Sequence, residues 1–289
     1  MIESGESGDW REALEAAVAE SLVSVAPVAG GDIGSSYRVE LESGETCFLK
    51  CYAGGPDDIA DREAEGLAWL AAPRAIDVGR PIAAGGRWLA LEWIEPGRPA
   101  PDYAARLGRG LAALHRAGAP RFGLDRDNWL ATLPQPNGAC DDWATFYGER
   151  RLRPLIRRAL DAQEIDARLT RRLDRLIEAL PERIGPQEAP ARLHGDLWSG
   201  NVMSDARGRP VLIDPAVYGG HREIDLAMMR LFGGFPAEVF DAYTEVWPLA
   251  PGSDERVDLY QVYPLLVHVC LFGSHYADKL SRTLSRCGF

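Results

Sequence analysis

Lysine is almost missing from this chain: of its 32 Lys and Arg residues only two, Lys50 and Lys279, are lysines. Arginine serves wherever a surface merely needs positive charge, so a lysine kept at one place points to a compact ammonium that a planar guanidinium cannot replace. Positive charge as a whole is also short. The 43 acids leave a net charge of -11 and a pI near 5.0, which excludes the basic footprint of a nucleic-acid binder and a polybasic membrane patch. No apolar run approaches the ~20 residues of a membrane span. Residues 1–30 are acidic rather than basic, so neither export nor insertion is expected and the cytoplasm is the expected location. Five scattered cysteines, Cys47, Cys51, Cys140, Cys270 and Cys287, make neither a disulfide framework nor a paired metal motif. With 289 residues and 46% hydrophobic content, the chain can still bury a sizeable core and form two lobes.

The most informative stretch is Leu-His-Gly-Asp-Leu-Trp-Ser-Gly-Asn at 193–201, followed by Val-Leu-Ile-Asp-Pro at 211–215. Asp196 with Asn201 five positions later, and Asp214 at the end of an apolar strand, is the arrangement that holds a magnesium nucleotide beside a hydroxyl nucleophile. Asp196 would accept the hydroxyl's proton, and Asn201 and Asp214 would supply the hard oxygen ligands that Mg2+ prefers. Phosphoryl transfer is the chemistry this pattern points to.

Lys50 ends the apolar run 47–49, which follows a turn at Ser43 and Gly44 and a strand-like run over 37–41. Upstream lies Gly30-Gly31-Asp32-Ile33-Gly34-Ser35, whose glycines would let backbone amides approach an anion closely. A glycine-rich turn, two strands and a terminal lysine are the parts of a nucleotide-gripping lobe. A helix is expected over 57–70, and it offers Glu63 or Glu65 as the partner of Lys50. A hairpin around Gly85 and Gly86 leads to a last strand over 88–94, and the Pro- and Gly-rich segment 95–101 then breaks all periodicity. These signals divide the chain into a nucleotide-binding lobe, 1–94, and a catalytic and substrate-binding lobe, 95–289. Apolar stripes predict helices in the second lobe: Tyr103, Leu107, Leu111 and Leu114; Leu152, Leu155, Ile156 and Leu160; Leu169, Leu173, Leu176, Ile177 and Leu180. All three stripes are expected to be core. The stretch 181–190 should be a connection. Near the end, Leu265, Leu266, Val269 and Phe272 form an apolar face close to His268 and His275.

Several stretches together resemble the fructosamine kinase family, the ketosamine 3-kinases. They include Phe48-Leu49-Lys50, Asp142-Trp143-Ala144-Thr145-Phe146-Tyr147, residues 194–201, Asp214-Pro215-Ala216-Val217-Tyr218-Gly219-Gly220, and Leu231-Phe232-Gly233-Gly234-Phe235. The resemblance implies an α+β, two-lobed protein-kinase-like fold, with a small antiparallel-sheet lobe bearing helices and a larger, mainly helical lobe. It implies ATP and Mg2+ as co-substrate and metal, and phosphorylation of the 3-hydroxyl of fructosamine, ribulosamine or erythrulosamine adducts, a deglycation repair activity. The substrate would be a small ketoamine or a glycated amine or protein. The family's acid stands four residues before a leucine, which selects Glu63 ahead of Leu67 over Glu65. By the same resemblance the main chain from Glu92 to Ile94 meets the adenine edge, and Trp198 and His268 contact substrate. His194 is implied as a loop-holding residue and Asp225 as a buried brace of the catalytic loop. Asp32 stands where some relatives carry a cysteine, so a thiol switch at that site is not expected. Two other readings remain: a kinase of another amino-bearing molecule, of aminoglycoside or choline type, and an inactive kinase fold used as a binding module.

Overall fold

The computed structural model describes residues 10–28 and 34–289. Strands β1 (Leu22–Val28), β2 (Ser35–Leu41), β3 (Thr46–Cys51), β5 (Pro81–Gly85) and β6 (Trp88–Glu92) form an antiparallel sheet in the order β1-β2-β3-β6-β5. Alternation along β3 decides which side chain meets which layer, because successive residues of a strand point to opposite faces. Cys47 and Leu49, with Val39, Leu41 and Ala90, pack on Trp10 and Leu14 of helix α1 (Trp10–Val18). Phe48 and Lys50 therefore face the other way, opposite Leu91 and Leu89 of β6. That second face is covered by helix α2 (Ile59–Ala71), which buries Ile59, Gly66, Leu67 and Leu70. Glu63 lies four residues from both Ile59 and Leu67, so helical geometry carries its carboxylate onto the buried face. A carboxylate there needs a partner.

The larger lobe is mainly helical: α3 (Tyr103–Arg116), α4 (Trp143–Phe146), α5 (Arg153–Asp161), α6 (Ala167–Arg183), α7 (Glu223–Phe232), α8 (Ala237–Val246), α9 (Ser253–Phe272) and α10 (Ala277–Arg286). Helix α9 buries residues around most of its circumference, among them Leu259, Tyr260, Val262, Leu265, Leu266 and Val269. It is the central post of this lobe. No helix among the described residues is long and apolar enough to cross a membrane. Short strand pairs hold the catalytic segments: β7 (Asn128–Leu130) with β8 (Leu133–Gln135), β9 (Ala191–Leu193) with β12 (Tyr218–Gly220), and β10 (Val202–Ser204) with β11 (Pro210–Leu212). The two-residue strand β4 (Asp77–Val78), just beyond α2, pairs in parallel with β11, and the Gly79 N–H donates to Leu212 O at 2.8 Å. The small lobe is thus bonded directly to the hairpin that leads to Asp214.

Two expectations are corrected. Leu160 is 39% exposed rather than core, because it falls at the end of α5 where the stripe rotates out to solvent. Helix α6 continues through Pro181 to Arg183. A proline so near a helix end forfeits only one ladder bond, and the Ile184 N–H still donates to Leu180 O at 3.0 Å.

Candidate active site

Lys50 and Glu63 meet where their elements aim them. Lys50 Nζ donates to Glu63 Oε1 at 3.2 Å and Oε2 at 3.1 Å, and to Asp214 Oδ1 at 3.1 Å. The Tyr52 hydroxyl donates to Glu63 Oε2, and the Tyr52 ring lies 5.0 Å from Nζ. Only 12% of the Lys50 side chain and 11% of the Glu63 side chain are exposed. Burial works against the charge on Lys50, but Glu63 and Asp214 outweigh it and hold the ammonium well above the ordinary lysine value. Burial pushes the Glu63 carboxyl up, opposed by Lys50. For Asp214 burial is again the largest influence, yet Lys50 overcomes it and the carboxyl is lowered. Glu65, the rival acid, points elsewhere and pairs with Arg62 at 2.6 Å and Arg126 at 3.6 Å.

Asp214 has a φ of +51°, a left-handed conformation that a non-glycine residue adopts only when its surroundings enforce it. Hydrogen bonds on both sides enforce it. The Ile213 N–H donates to Asn201 O at 3.0 Å and the Ala216 N–H to His194 O at 2.9 Å, so the segments 194–201 and 213–216 are stitched together. Gly195, at φ +85°, passes so close that a Cβ there would lie 1.9 Å from Ala216 O. Within this crossing Asn201 Nδ2 donates to Asp196 O at 2.8 Å, to Asp196 Oδ2 at 3.1 Å and to Asp214 O at 3.4 Å. Its amide nitrogen is committed to the loop, which leaves Oδ1 as the atom it can offer a cation. Asp225 accepts from the His194 and Gly195 N–H groups at 2.7 and 3.0 Å. His194 accepts the Asp196 N–H at Nδ1 and so donates from Nε2 to Ile213 O at 2.9 Å. Burial lowers its pKa, and both ring nitrogens are occupied in holding the loop. Burial raises the Asp196 carboxyl to about 7, with Asp214 and Asp225 adding to the rise and Asn201 and Lys50 opposing it. A carboxylate there can exchange a proton near neutral pH.

These groups open on one cleft of about 890 Å³, lined by Lys50, Glu63, Asp196, Asn201 and Asp214 and, further out, by Trp198 and His268. That is the size of a small-molecule site. Its charge balance is informative. Three carboxylates face Lys50, while Arg62 is engaged with Asp58 and Glu65. A polyphosphate needs further positive charge to settle there, and Asn201 Oδ1 with the Asp214 carboxylate are oxygen donors suited to Mg2+, which takes one or two protein ligands and completes its shell with phosphates and water. Among the described residues no group of three or more His, Cys, Asp or Glu forms an all-protein metal cage.

Gly30, Gly31, Asp32 and Ile33 lie outside the described residues. Gly34 (φ +101°) and Ser35 lead into β2, and a Cβ on Gly34 would lie 2.2 Å from Cys51 O, yet neither residue lines the cleft. Glu92 and Ile94 do not line it either, and the Glu92 N–H is committed to Arg80 O at 2.9 Å. His268 Nδ1 lies 2.7 Å from Pro264 O, and its ring packs 4.7 Å from Phe232 and 5.0 Å from Tyr276, both at the cleft. Sequence reasoning missed Tyr52, Trp129 and His115. Tyr52 lies two residues beyond Lys50, on the same side of the chain, and that spacing was a usable signal. Trp129 lines the cleft and donates from Nε1 to Asp58 Oδ1 at 2.9 Å, tying α2 to the large lobe. His115 lies hidden at the end of an apolar stripe, against Asp225 at 3.2 Å.

Comparison with known proteins follows the same lines. A family model described as fructosamine kinase matches residues 10–288. An Enterococcus faecium protein assigned as a ketoamine kinase is 39% identical over 265 residues, covering 90% of this chain and 94% of the relative. The chloroplastic protein-ribulosamine 3-kinase of Arabidopsis thaliana is 35% identical over 269 residues, covering 90% and 81%. The crystal structure of a Thermobifida fusca protein assigned as a fructosamine-3-kinase superposes with a TM-score of 0.90 at 39% identity, covering 96% of this chain and 98% of that one. Far more distant in sequence, at 15% identity, the choline kinase LicA of Streptococcus pneumoniae shares the fold with a TM-score of 0.65 over 96% of this chain and 97% of its own.

Proposed function

This chain belongs to the fructosamine kinase family and is an ATP-dependent phosphotransferase with an alcohol group as acceptor, and we propose that the hydroxyl it phosphorylates is the one on carbon 3 of a ketosamine. The observation that carries this reading is the meeting, in one cleft, of the Lys50–Glu63–Asp214 ion cluster with Asp196, whose carboxyl burial raises to about 7. Asp196 orients the 3-hydroxyl and takes its proton as the oxygen bonds to the γ-phosphorus and the bond from that phosphorus to the departing ADP oxygen breaks. Lys50, steadied by Glu63, offsets charge on the phosphates. Asn201 and Asp214 hold Mg2+, which when bound supplies the positive charge that lets the polyphosphate approach this acidic cleft. His194 and Asp225 keep the loop in register, and Trp198 and His268 border the sugar-amine end.

The two lobes of this reading are residues 1–94 and 95–289, meeting at the segment 95–101. Small ketoamines and glycated protein amines are both candidate substrates, with fructose, ribulose or erythrulose as the sugar. The cytoplasm is the compartment we assign, in keeping with the odd number and scattered placing of the cysteines. Phosphate on carbon 3 lies next to the ketone. Enolisation toward carbon 1 makes it a leaving group, so the product sheds phosphate and releases the amine, the basis of a deglycation role.

The test is transfer from ATP to a matched series of fructose, ribulose and erythrulose adducts of lysine, with the phosphorylated carbon assigned by NMR. ATP should be consumed, and the purified product should later release inorganic phosphate and free lysine with no enzyme present. A product phosphate that survives prolonged incubation removes carbon 3 as the acceptor. Turnover on aminoglycosides or choline and on no ketoamine overturns the substrate class.

A further inference from the structure

The Asp225 carboxylate that braces the catalytic loop is itself held from behind. His115, on α3, places Nε2 3.2 Å from Asp225 Oδ2, and its Nδ1 lies 2.9 Å from the Tyr243 hydroxyl on α8. His115, Tyr243 and Asp225 have no exposed surface. Proton placement in this chain follows from chemistry. An ionised carboxylate only accepts, so His115 Nε2 carries the hydrogen, and the second ring nitrogen shares a hydrogen bond with the Tyr243 hydroxyl. The order Tyr243 to His115 to Asp225 continues through the two carboxylate oxygens to the His194 and Gly195 N–H groups, one residue short of Asp196.

Helix packing makes this reach possible. Gly108 stands two turns before His115 on the same face of α3, and a Cβ there would lie 2.1 Å from Val239 O. Without that glycine α3 and α8 could not lie close enough for a histidine and a tyrosine to meet between them. A core histidine present only for packing would need no carboxylate. Here a buried ring is spent on turning a buried anion so that each oxygen points at one loop amide.

We propose that His115 is a positioning residue of the phosphoryl-transfer site, holding Asp225 in the rotamer that fixes the Gly195–Asp196 backbone, with Tyr243 fixing His115 in turn. The kinetic arm of the test rests on Asp196 being the proton acceptor; the exchange arm does not. His115→Phe keeps the volume and deletes both hydrogen bonds, and its kcat should fall roughly 10–100-fold. KM for ATP and for the ketoamine should stay within about threefold, because Asp196 acts on the transition state rather than on ground-state binding. His115→Gln, which returns a donor near the Nε2 position, should recover most of the loss. Tyr243→Phe should lower kcat in the same direction by less, and it stands in if His115→Phe does not fold. Hydrogen exchange at the His194 and Gly195 amides should speed up in His115→Phe relative to the neighbouring Leu197 amide. Unchanged kcat per folded molecule, with only a lower melting temperature, overturns the proposal, as does unchanged exchange at both amides. Absence of turnover in the unmodified protein overturns the proposed function, while the exchange measurement still decides the role of His115.

Discussion

Lys50→Arg keeps the charge and changes only its shape, in a chain that uses arginine nearly everywhere else. The ammonium sits in a cage of three oxygens, two from Glu63 at 3.2 and 3.1 Å and one from Asp214 at 3.1 Å, with the Tyr52 ring 5.0 Å away. A point cation satisfies all three from one atom, whereas a planar fork spreads its donors in one plane and cannot place them all where the single nitrogen stood. At least one hydrogen bond to a charged group is lost, worth about 1.5–3 kcal/mol, and the longer side chain must also be fitted into a space only 12% exposed, at about 1–3 kcal/mol. If the lost contact is one made in the transition state, the first figure alone corresponds to a drop in kcat/KM of roughly 10- to 150-fold. Steady-state kinetics with a saturating ketoamine and varied ATP reads this directly, and urea denaturation reads the stability part. An arginine variant within about threefold of the parent would mean that Lys50 is an ordinary strand-end cation and that its cage has no part in transfer.

Asp196→Asn should lower kcat by roughly 10²–10⁴-fold while leaving nucleotide affinity nearly unchanged, as calorimetric titration would show; near-normal turnover removes Asp196 as proton acceptor. Asp214→Ala should instead weaken magnesium-nucleotide binding and shift the Mg2+ activation curve to higher concentration, and an unmoved curve refutes its role as a ligand. His221, which does not line the cleft, predicts a stability effect. Burial depresses its pKa to about 4, with Arg222 and Arg256 adding to the depression and Glu188 opposing it. The unfolded chain, titrating near 6.5, therefore takes up the proton first, so the stabilisation is present above pH 6.5 and is lost as pH falls toward 4. At pH 5 the loss is about 2 kcal/mol relative to pH 7.5. His221→Gln should flatten that part of the urea midpoint's pH dependence, and identical slopes in both proteins refute the assignment.

Legibility varied with how local the causes were. The place of Lys50 on the α2 face follows from alternation along β3 and is readable from neighbours in the chain, whereas the choice of Glu63 over Glu65 rested on the family resemblance. Helix α2 was legible for the same reason as the place of Lys50. Strand β4 was not. Two residues carry no periodicity, and its existence depends on β11, more than a hundred residues away. Nor could the apolar stripe of Leu107, Leu111 and Leu114 announce that His115 faces a carboxylate, since Asp225 and Tyr243 arrive from other helices. Leu160 shows the converse failure: its stripe was correct, but a helix end carries the side chain beyond the packed layer.

The placement of α2 has a further physical consequence. In protein kinases the helix that carries the partner of the phosphate lysine can swing away, and activity is controlled by whether that ion pair is formed. Here α2 is fastened at several points. Asp58, at its start, accepts from Trp129 of the large lobe; Glu65 pairs with Arg126 at 3.6 Å; and a Cβ on Gly66 would lie 3.3 Å from the Val217 side chain. Beyond its far end β4 is bonded to β11, the strand that leads into Asp214. Swinging α2 outward would break the Trp129 bond, open the Gly66–Val217 contact and strain the β4–β11 pair, so the motion that would separate Glu63 from Lys50 would also disturb Asp214. The ion pair and the strand-end carboxylate are therefore mechanically one unit.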